Sequence, residues 1–226
     1  DAKKGLNWYD YGARHYDAVL GRFTTNDRFA EKYYSMSPYQ YGANSPVGNI
    51  DVNGDSIIIK PNANGIIDQI KVLFGYDTKF QKDVKADLFQ LKQDDKKVAD
   101  IIGKLEESKN IHYITMPKKG EYNSTGFNAD KVKKNISQGS EIYYNPYNRR
   151  RGRNDSDMRT PRIGLAHELQ HSFDVDKKVA TYERTKNGIL LMDIRAINTE
   201  NRIRKVIGEP KRTMYGTQKV PKELLE

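Results

Sequence analysis

The chain contains only four histidines, and two of them stand four apart with a glutamate between: His167-Glu168-Leu169-Gln170-His171. On a helix, residues four apart lie on one face. The two imidazoles can then offer nitrogens to one metal ion. Glu168 projects beside them, where it can take a proton from a metal-bound water. Zinc suits such a pair, because a catalytic zinc takes three protein ligands and keeps one position for water. The metal lowers that water's pKa towards ~7 and polarises a carbonyl. The bland alternative is a pair of helix-surface histidines, but so few histidines produce this pattern rarely by chance.

The local sequence supports a helix over about 158–176. Thr160 is a candidate N-cap and Pro161 a candidate first helical residue. Ile163, Ala166, Leu169 and Phe173 supply an apolar stripe that would bury it. A second, partly buried helix is expected over 188–204. Two histidines leave a catalytic zinc one protein ligand short. Cysteine is absent, so the third comes from His, Asp, Glu or Tyr. Asp193 begins an Asp-x-x-Ala and Glu200 follows two turns later on roughly the same face. Ala196 would let the two helices approach closely. The placement resembles that of many His-Glu-x-x-His peptidases, whose third ligand is an acid in Glu-x-x-Ala on the next helix. Asp193 and Glu200 are the two candidates, Asp193 the favoured one. The acid that does not ligate would orient an imidazole from behind. The plain alternative is that either acid pairs with Arg195 or Arg204.

At 226 residues the chain can build one substantial core with a small module in front of it. It has no apolar run long enough to span a membrane and no hydrophobic signal segment at the start. It opens within a motif, so the expectation is a piece of something larger, and the missing signal says nothing about secretion. The net charge is +9 and the pI about 9.4. The densest basic cluster, Arg149-Arg150-Arg151-Gly152-Arg153, lies in a Gly/Asn/Asp-rich stretch read as a loop, with no interleaved aromatics. Nucleic-acid binding is therefore not favoured.

Residues 1–54 are rich in Tyr, Gly, Asn and Asp. Trp8–Asp17 and Leu20–Asp27 suggest short strands and turns. From Asp55 the composition shifts. Ser56–Lys60 is a short strand stopped by Pro61, and residues 66–108 are largely helical, a charged layer over a core. Ile111–Met116 and Ser140–Asn145 are strands separated by a loop rich in Lys, Gly and Asn. Either strand could border the cleft and pair with an extended substrate. His112, in the first of them, is left out of the site.

Two resemblances follow from these residues. Tyr9-Asp10-Tyr11-Gly12-Ala13-Arg14-His15-Tyr16-Asp17, Gly21-Arg22-Phe23, Pro38–Val47 and Ile50-Asp51-Val52-Asn53-Gly54 closely resemble the end of the Rhs-repeat-associated core, with Val52 where that family has Pro. That likeness implies a remnant of a β-rich shell over 1–54, with a variable toxin domain from residue 55 onward. His167–His171, Asp193-Ile194-Arg195-Ala196, Thr199–Arg204 and Gly208–Tyr215 resemble the NleD-type zinc metallopeptidase family, which usually has Glu where this chain has Asp193. Its Arg-x-x-Tyr ending falls on Arg212 and Tyr215, either of which could donate to a tetrahedral oxyanion; the plain alternative is that Tyr215 packs and Arg212 forms a surface pair.

Together these imply an α+β, zincin-like domain over 55–226, with a His-Glu-x-x-His helix, a second ligand helix and a small sheet. The implied activity is a zinc endopeptidase, the effector of a secreted bacterial Rhs polymorphic toxin. Zn2+ would sit on His167, His171 and Asp193 or Glu200, with Glu168 as general base. The partners implied are a protein substrate in a target cell, the N-terminal Rhs shell and a cognate immunity protein. The alternatives are a non-catalytic basic module that binds nucleic acid or an acidic protein, and a peptidase acting only on its own shell.

Overall fold

The computed structural model describes residues 8–10, 14–26, 37–39, 41, 57–63, 65–73, 76–152 and 155–226. The Tyr-rich opening forms three short antiparallel strands in spatial order: β1 (Trp8–Asp10), β2 (His15–Asp17) and β3 (Arg22–Phe23). Phe23 is buried there. The ring of Tyr16 lies 5.8 Å from it, that of Tyr41 5.7 Å, and the Arg14 guanidinium 3.7 Å above it. The hairpins expected from Trp8 to Phe23 are thus present. Most of the remainder of 1–54, including Ile50–Gly54, lies outside the described residues.

The β-branched run before Pro61 makes strand β4 (Ile57–Ile59). Three helices follow: α1 (Ile66–Leu73), α2 (Lys79–Asp94) and α3 (Lys96–Glu106). Thr78 caps α2 in a reciprocal capping box with Gln81, and Gln81 also donates to the Ile59 carbonyl at 3.0 Å, tying the helix to β4. Asp95 caps α3 by accepting from the Lys97 and Val98 amides. Next come β5 (His112–Thr115), β6 (Ser124–Gly126), the short α4 (Ala129–Lys133) and β7 (Ser140–Tyr143). The sheet order is β4-β5-β7-β6, with β4, β5 and β7 parallel and β6 antiparallel to β7. Alternate residues of β5 and β7 are buried, so one face of the sheet meets the core. Ile57, Ile59, Ile114 and Ile142 pack there against Val84, Leu88 and Leu91 of α2 and Ile101, Ile102 and Leu105 of α3.

A two-stranded hairpin, β8 (Arg150–Gly152) and β9 (Asp155–Met158), leads into α5 (Pro161–Asp176). Helix α6 (Leu191–Ile207) ends at Gly208, whose φ of +75° is a left-handed cap. The chain finishes with β10 (Met214–Tyr215) and β11 (Gln218–Lys219). Ile189, Ile194, Ile197 and Val220 form a second apolar cluster that seats this hairpin on α6.

The architecture is mixed α+β, as expected. Four local readings need correction. The supposed loop after Met116 contains β6 and α4; Ser124-Thr125-Gly126 is too short and polar to announce a strand. Strands β5 and β7 are each flanked on both sides, so the edges are β4 and β6, and neither of the two expected candidates can accept an added strand. The basic cluster lies largely on the β8–β9 hairpin rather than in a loop. Helix α6 also starts at Leu191, because Gly188 (φ +87°) and an Arg184–Leu190 bridge hold the preceding residues in a turn. Among the described residues, no helix is long and apolar enough to cross a membrane.

Strands β5 and β7 begin at a very close backbone approach. A Cβ placed on Gly139 would lie 2.1 Å from the Ile111 carbonyl oxygen. Gly139→Ala is therefore expected to cost about 2–3 kcal/mol, read as a lower urea midpoint at unchanged m-value.

Candidate functional site

Helix α5 has no solvent face. From Ile163 to Asp176 every residue but Phe173 is buried. Thr160 occupies the N-cap position and Pro161 the first turn, as expected, but Thr160 makes no capping bond. Its hydroxyl and its amide both donate to Glu209 instead, at 2.6 and 2.8 Å. His167 and His171 lie one turn apart with Nε2 atoms 3.2 Å from one another. Two nitrogens on a tetrahedral zinc stand about 3.3 Å apart, so the pair is already at ligand spacing. Burial holds both imidazoles neutral: it pushes His167 well below its ordinary pKa and His171 to about 4. A metal ligand needs that neutral form.

The next helix delivers the acids. Asp193 Oδ1 lies 3.7 Å from His171 Nε2. That is a few tenths of an ångström wider than two ligands of one zinc, and among the described residues no three such side chains form a closed shell. Asp193 is buried, which raises its pKa, and it accepts a hydrogen bond from Tyr215, which opposes the rise. Burial, and the Asp193 carboxylate next to it, push the Tyr215 phenol upward, so it stays a donor.

Glu200 is engaged differently. Its carboxylate is wholly buried and faces the far nitrogen of His167, with Oε1 3.6 Å from Nδ1. It accepts from Arg159, and from Arg212 at 2.9 Å. Burial opposes its ionisation, but the two guanidinium groups outweigh burial and hold its pKa below the ordinary value. Among the described residues His167 Nδ1 has no hydrogen-bond partner. A proton there, facing Glu200, leaves Nε2 free to bind a cation. Nitrogen, nitrogen and carboxylate on one side, with a carboxylate behind one imidazole, is a donor set that fits zinc. The two candidate acids thus separate: Asp193 stands with the ligand nitrogens and Glu200 behind them.

Glu168 projects into the same cleft. Burial raises its carboxyl to about 7, against the opposing hydrogen bond from Thr125. Thr125 Oγ1 donates to Glu168 Oε2 at 2.8 Å. Thr125, on the edge strand β6, and Arg159, just before α5, were both missed in the sequence. A single Thr between Ser and Gly and one Arg in a basic chain carry no signal of their own. Gly164 explains how Arg159 gets there. A Cβ at that position would meet Arg159 Nη2 and Asn123 Nδ2, each at 2.6 Å. Arg212 is aimed by Asn201, whose amide accepts from the Arg212 N–H and donates to its carbonyl.

A buried polar chain fixes α5 against α6. Thr199 donates to Gln170 at 2.7 Å, Gln170 to Asp174 at 2.8 Å, and Arg195 to the other oxygen of Asp174 at 2.9 Å. Fully buried Ala196 lets the helices approach, as expected. His112 lies elsewhere, against Ser140 and Asp176. The cleft is a cavity of about 340 Å³. Asn123, Ser124 and Thr125 form one wall, and Tyr182, Leu190 and Met192 an apolar one. Arg212 and Tyr215 line it between them. No family model, no curated protein and no solved structure matches the chain.

The raised Glu168 carboxyl has a measurable consequence. A group whose folded pKa lies above its unfolded value contributes stability below the unfolded value, and loses it as pH rises through the folded one. Glu168 should therefore destabilise the metal-free protein progressively between about pH 4.5 and 7. Glu168→Gln removes that loss. In the presence of a chelator it should match the parent near pH 4.5 and exceed it above pH 7 by up to about 3 kcal/mol, measured by urea unfolding across pH.

Proposed function

We propose that the chain is a zinc-dependent endopeptidase with a zincin-like catalytic domain, the effector of a secreted Rhs polymorphic toxin. The observation that carries the peptidase reading is the convergence of two neutral imidazoles and a carboxylate beside Glu168. The toxin reading, the division at residue 54 and the partners (an Rhs shell and an immunity protein) rest on the sequence resemblances alone.

His167, His171 and Asp193 would hold the metal, and Glu200 would orient His167. The zinc, when bound, supplies Lewis acidity towards the scissile carbonyl and a lowered pKa for water. The other steps belong to the chain. Glu168 takes the proton of the attacking water and returns it to the leaving amine, and a pKa near 7 suits both halves of that task. Thr125 fixes one carboxylate oxygen of Glu168, leaving the other for the proton. Tyr215 would turn its single hydroxyl proton from Asp193 to the developing oxyanion; Arg212 supplies positive charge next to it. Edge strand β6 offers unpaired backbone groups along the cleft, on which an extended peptide can add as a strand.

Elemental analysis after dialysis should find about one zinc per chain. Glu168→Gln should keep the zinc and lose cleavage of casein or a peptide pool by at least ~10²–10⁴-fold. Absence of zinc even after loading would sink this reading in favour of a non-catalytic basic module.

The two acids can be ranked by zinc affinity. Glu200→Gln should weaken binding by about 10–100-fold, the usual cost of losing a partner behind a ligand. Asp193→Asn should weaken it more. The opposite order would make Glu200 the ligand.

A further inference from the structure

Between α5 and the sheet lies a buried polar cluster that the proposed chemistry does not use. His112 of β5 and Ser140 of β7 stand directly opposite one another in the sheet, and Ser172 lies on α5. All three are buried, His112 and Ser172 completely. His112 Nδ1 lies 2.9 Å from Ser140 Oγ, and Ser140 Oγ 2.8 Å from Ser172 Oγ. Ser172 Oγ lies 3.2 Å from the backbone carbonyl oxygen of Glu168. On the other side of the imidazole, Nε2 faces Asp176 Oδ1 at 3.6 Å. Asp176 also accepts from Ser108 and from Asn110 at 2.7 Å, and pairs with Lys177 at 2.7 Å. Burial opposes its ionisation, but His112 and these three donors outweigh burial and hold its pKa well below the ordinary value. Asp176 is therefore a carboxylate that accepts and does not donate.

A hydroxyl has one proton, so the direction of each bond in this chain follows from its last acceptor. The Glu168 carbonyl can only accept, so Ser172 donates to it. Ser172 then has no proton for Ser140, and Ser140 donates to Ser172. Ser140 in turn has none for the imidazole, so Nδ1 carries a proton and donates to Ser140. Nε2 carries the second proton, because the atom it faces is an ionised carboxylate. In a buried network these directions hold together or reverse together.

The last acceptor is where the chain meets the cleft. A carbonyl oxygen has two lone pairs, and inside a helix the amide four residues on takes one. Two hydroxyls compete for the other. Thr125 Oγ1 lies 3.1 Å from the Glu168 carbonyl oxygen and 2.8 Å from Glu168 Oε2. It too has one proton for two acceptors. With Ser172 donating to the carbonyl, the Thr125 proton goes to the carboxylate. With Ser172 turned back towards Ser140, the carbonyl draws that proton away. We infer that His112 is a positioning residue for Glu168: by donating to Ser140 it turns two serine hydroxyls towards the Glu168 carbonyl and so commits Thr125 to the Glu168 carboxylate. The inference rests on the peptidase reading for the task of Glu168, though not for the direction of the chain.

The test starts with the parent chain. Nitrogen-15 NMR of His112, at the pH of the activity assay, should show a protonated Nδ1. A bare Nδ1 would reverse every bond and overturn the inference. In the zinc-loaded chain, Ser172→Ala should lower kcat for a cleaved peptide about three- to tenfold, at unchanged KM and zinc content. In a Thr125→Val background the same change should lower kcat no further. Equal losses in both backgrounds would make Ser172 merely structural and overturn the inference. His112→Asn keeps an N–H at the place of Nδ1 and should retain most of kcat. His112→Gln is closer to His in volume but carries its N–H at the place of Nε2, and should lose as much as Ser172→Ala. The reverse order would assign His112 to packing and overturn its positioning role. If the parent cleaves no peptide, the peptidase reading fails, and the state of Nδ1 still decides the direction of the chain.

Discussion

A carboxylate held away from water must be compensated where it stands, and in this protein the compensation for Glu200 organises the site. Its two guanidinium partners come from separate places: Arg159 from the residue before the α5 cap, Arg212 from the approach to the last hairpin. The pairing therefore joins three segments around one buried charge. Removing both arginines would leave an uncompensated ion in a dry environment, which costs more than the pairs themselves contribute. The third neighbour is His167, whose Nδ1 stands 3.6 Å from the same carboxylate. Here architecture and chemistry depend on the same atoms.

The sequence disclosed the parts of the site that depend on spacing. His167, Glu168 and His171 follow from helical periodicity. Asp193, Ala196 and Glu200 follow from the same periodicity on the next helix. What periodicity does not carry is which way a side chain is drawn. Asp193 and Glu200 share a helical face in the sequence. They part because Tyr215 and His171 attract one while two arginines attract the other, and those partners are distant in the chain. Thr125 and Arg159 were invisible for a related reason. Each matters through one long-range contact, and their neighbours carry no pattern. In the fold, the long amphipathic helices and the Ile-rich strands were legible. Strand β6 was not, because three small or polar residues become a strand only when β7 offers its edge. The polar chain from Thr199 to Arg195 was equally hidden, since each member alone resembles an ordinary surface residue.

The same contrast holds for charge. A basic composition says nothing about where the charge is used. In the structure several lysines of the helical layer pair with carboxylates at close range, and arginines are drawn inward to buried acids. Exposed pairs contribute little to stability.

Helix α5 carries a further implication. A helix with one apolar face can dock early and wait for its neighbours. A helix buried on every side has no such face, and its mixture of His, Glu, Gln and Asp gives it little reason to collapse onto anything alone. It gains its environment only when the sheet, the α2–α3 layer and α6 close around it together. The imidazole pair is then a product of the final step of assembly. In the unfolded chain two histidines on a flexible segment are weak bait for a metal. On the proposed function, a metal would enter a finished site rather than help to build it.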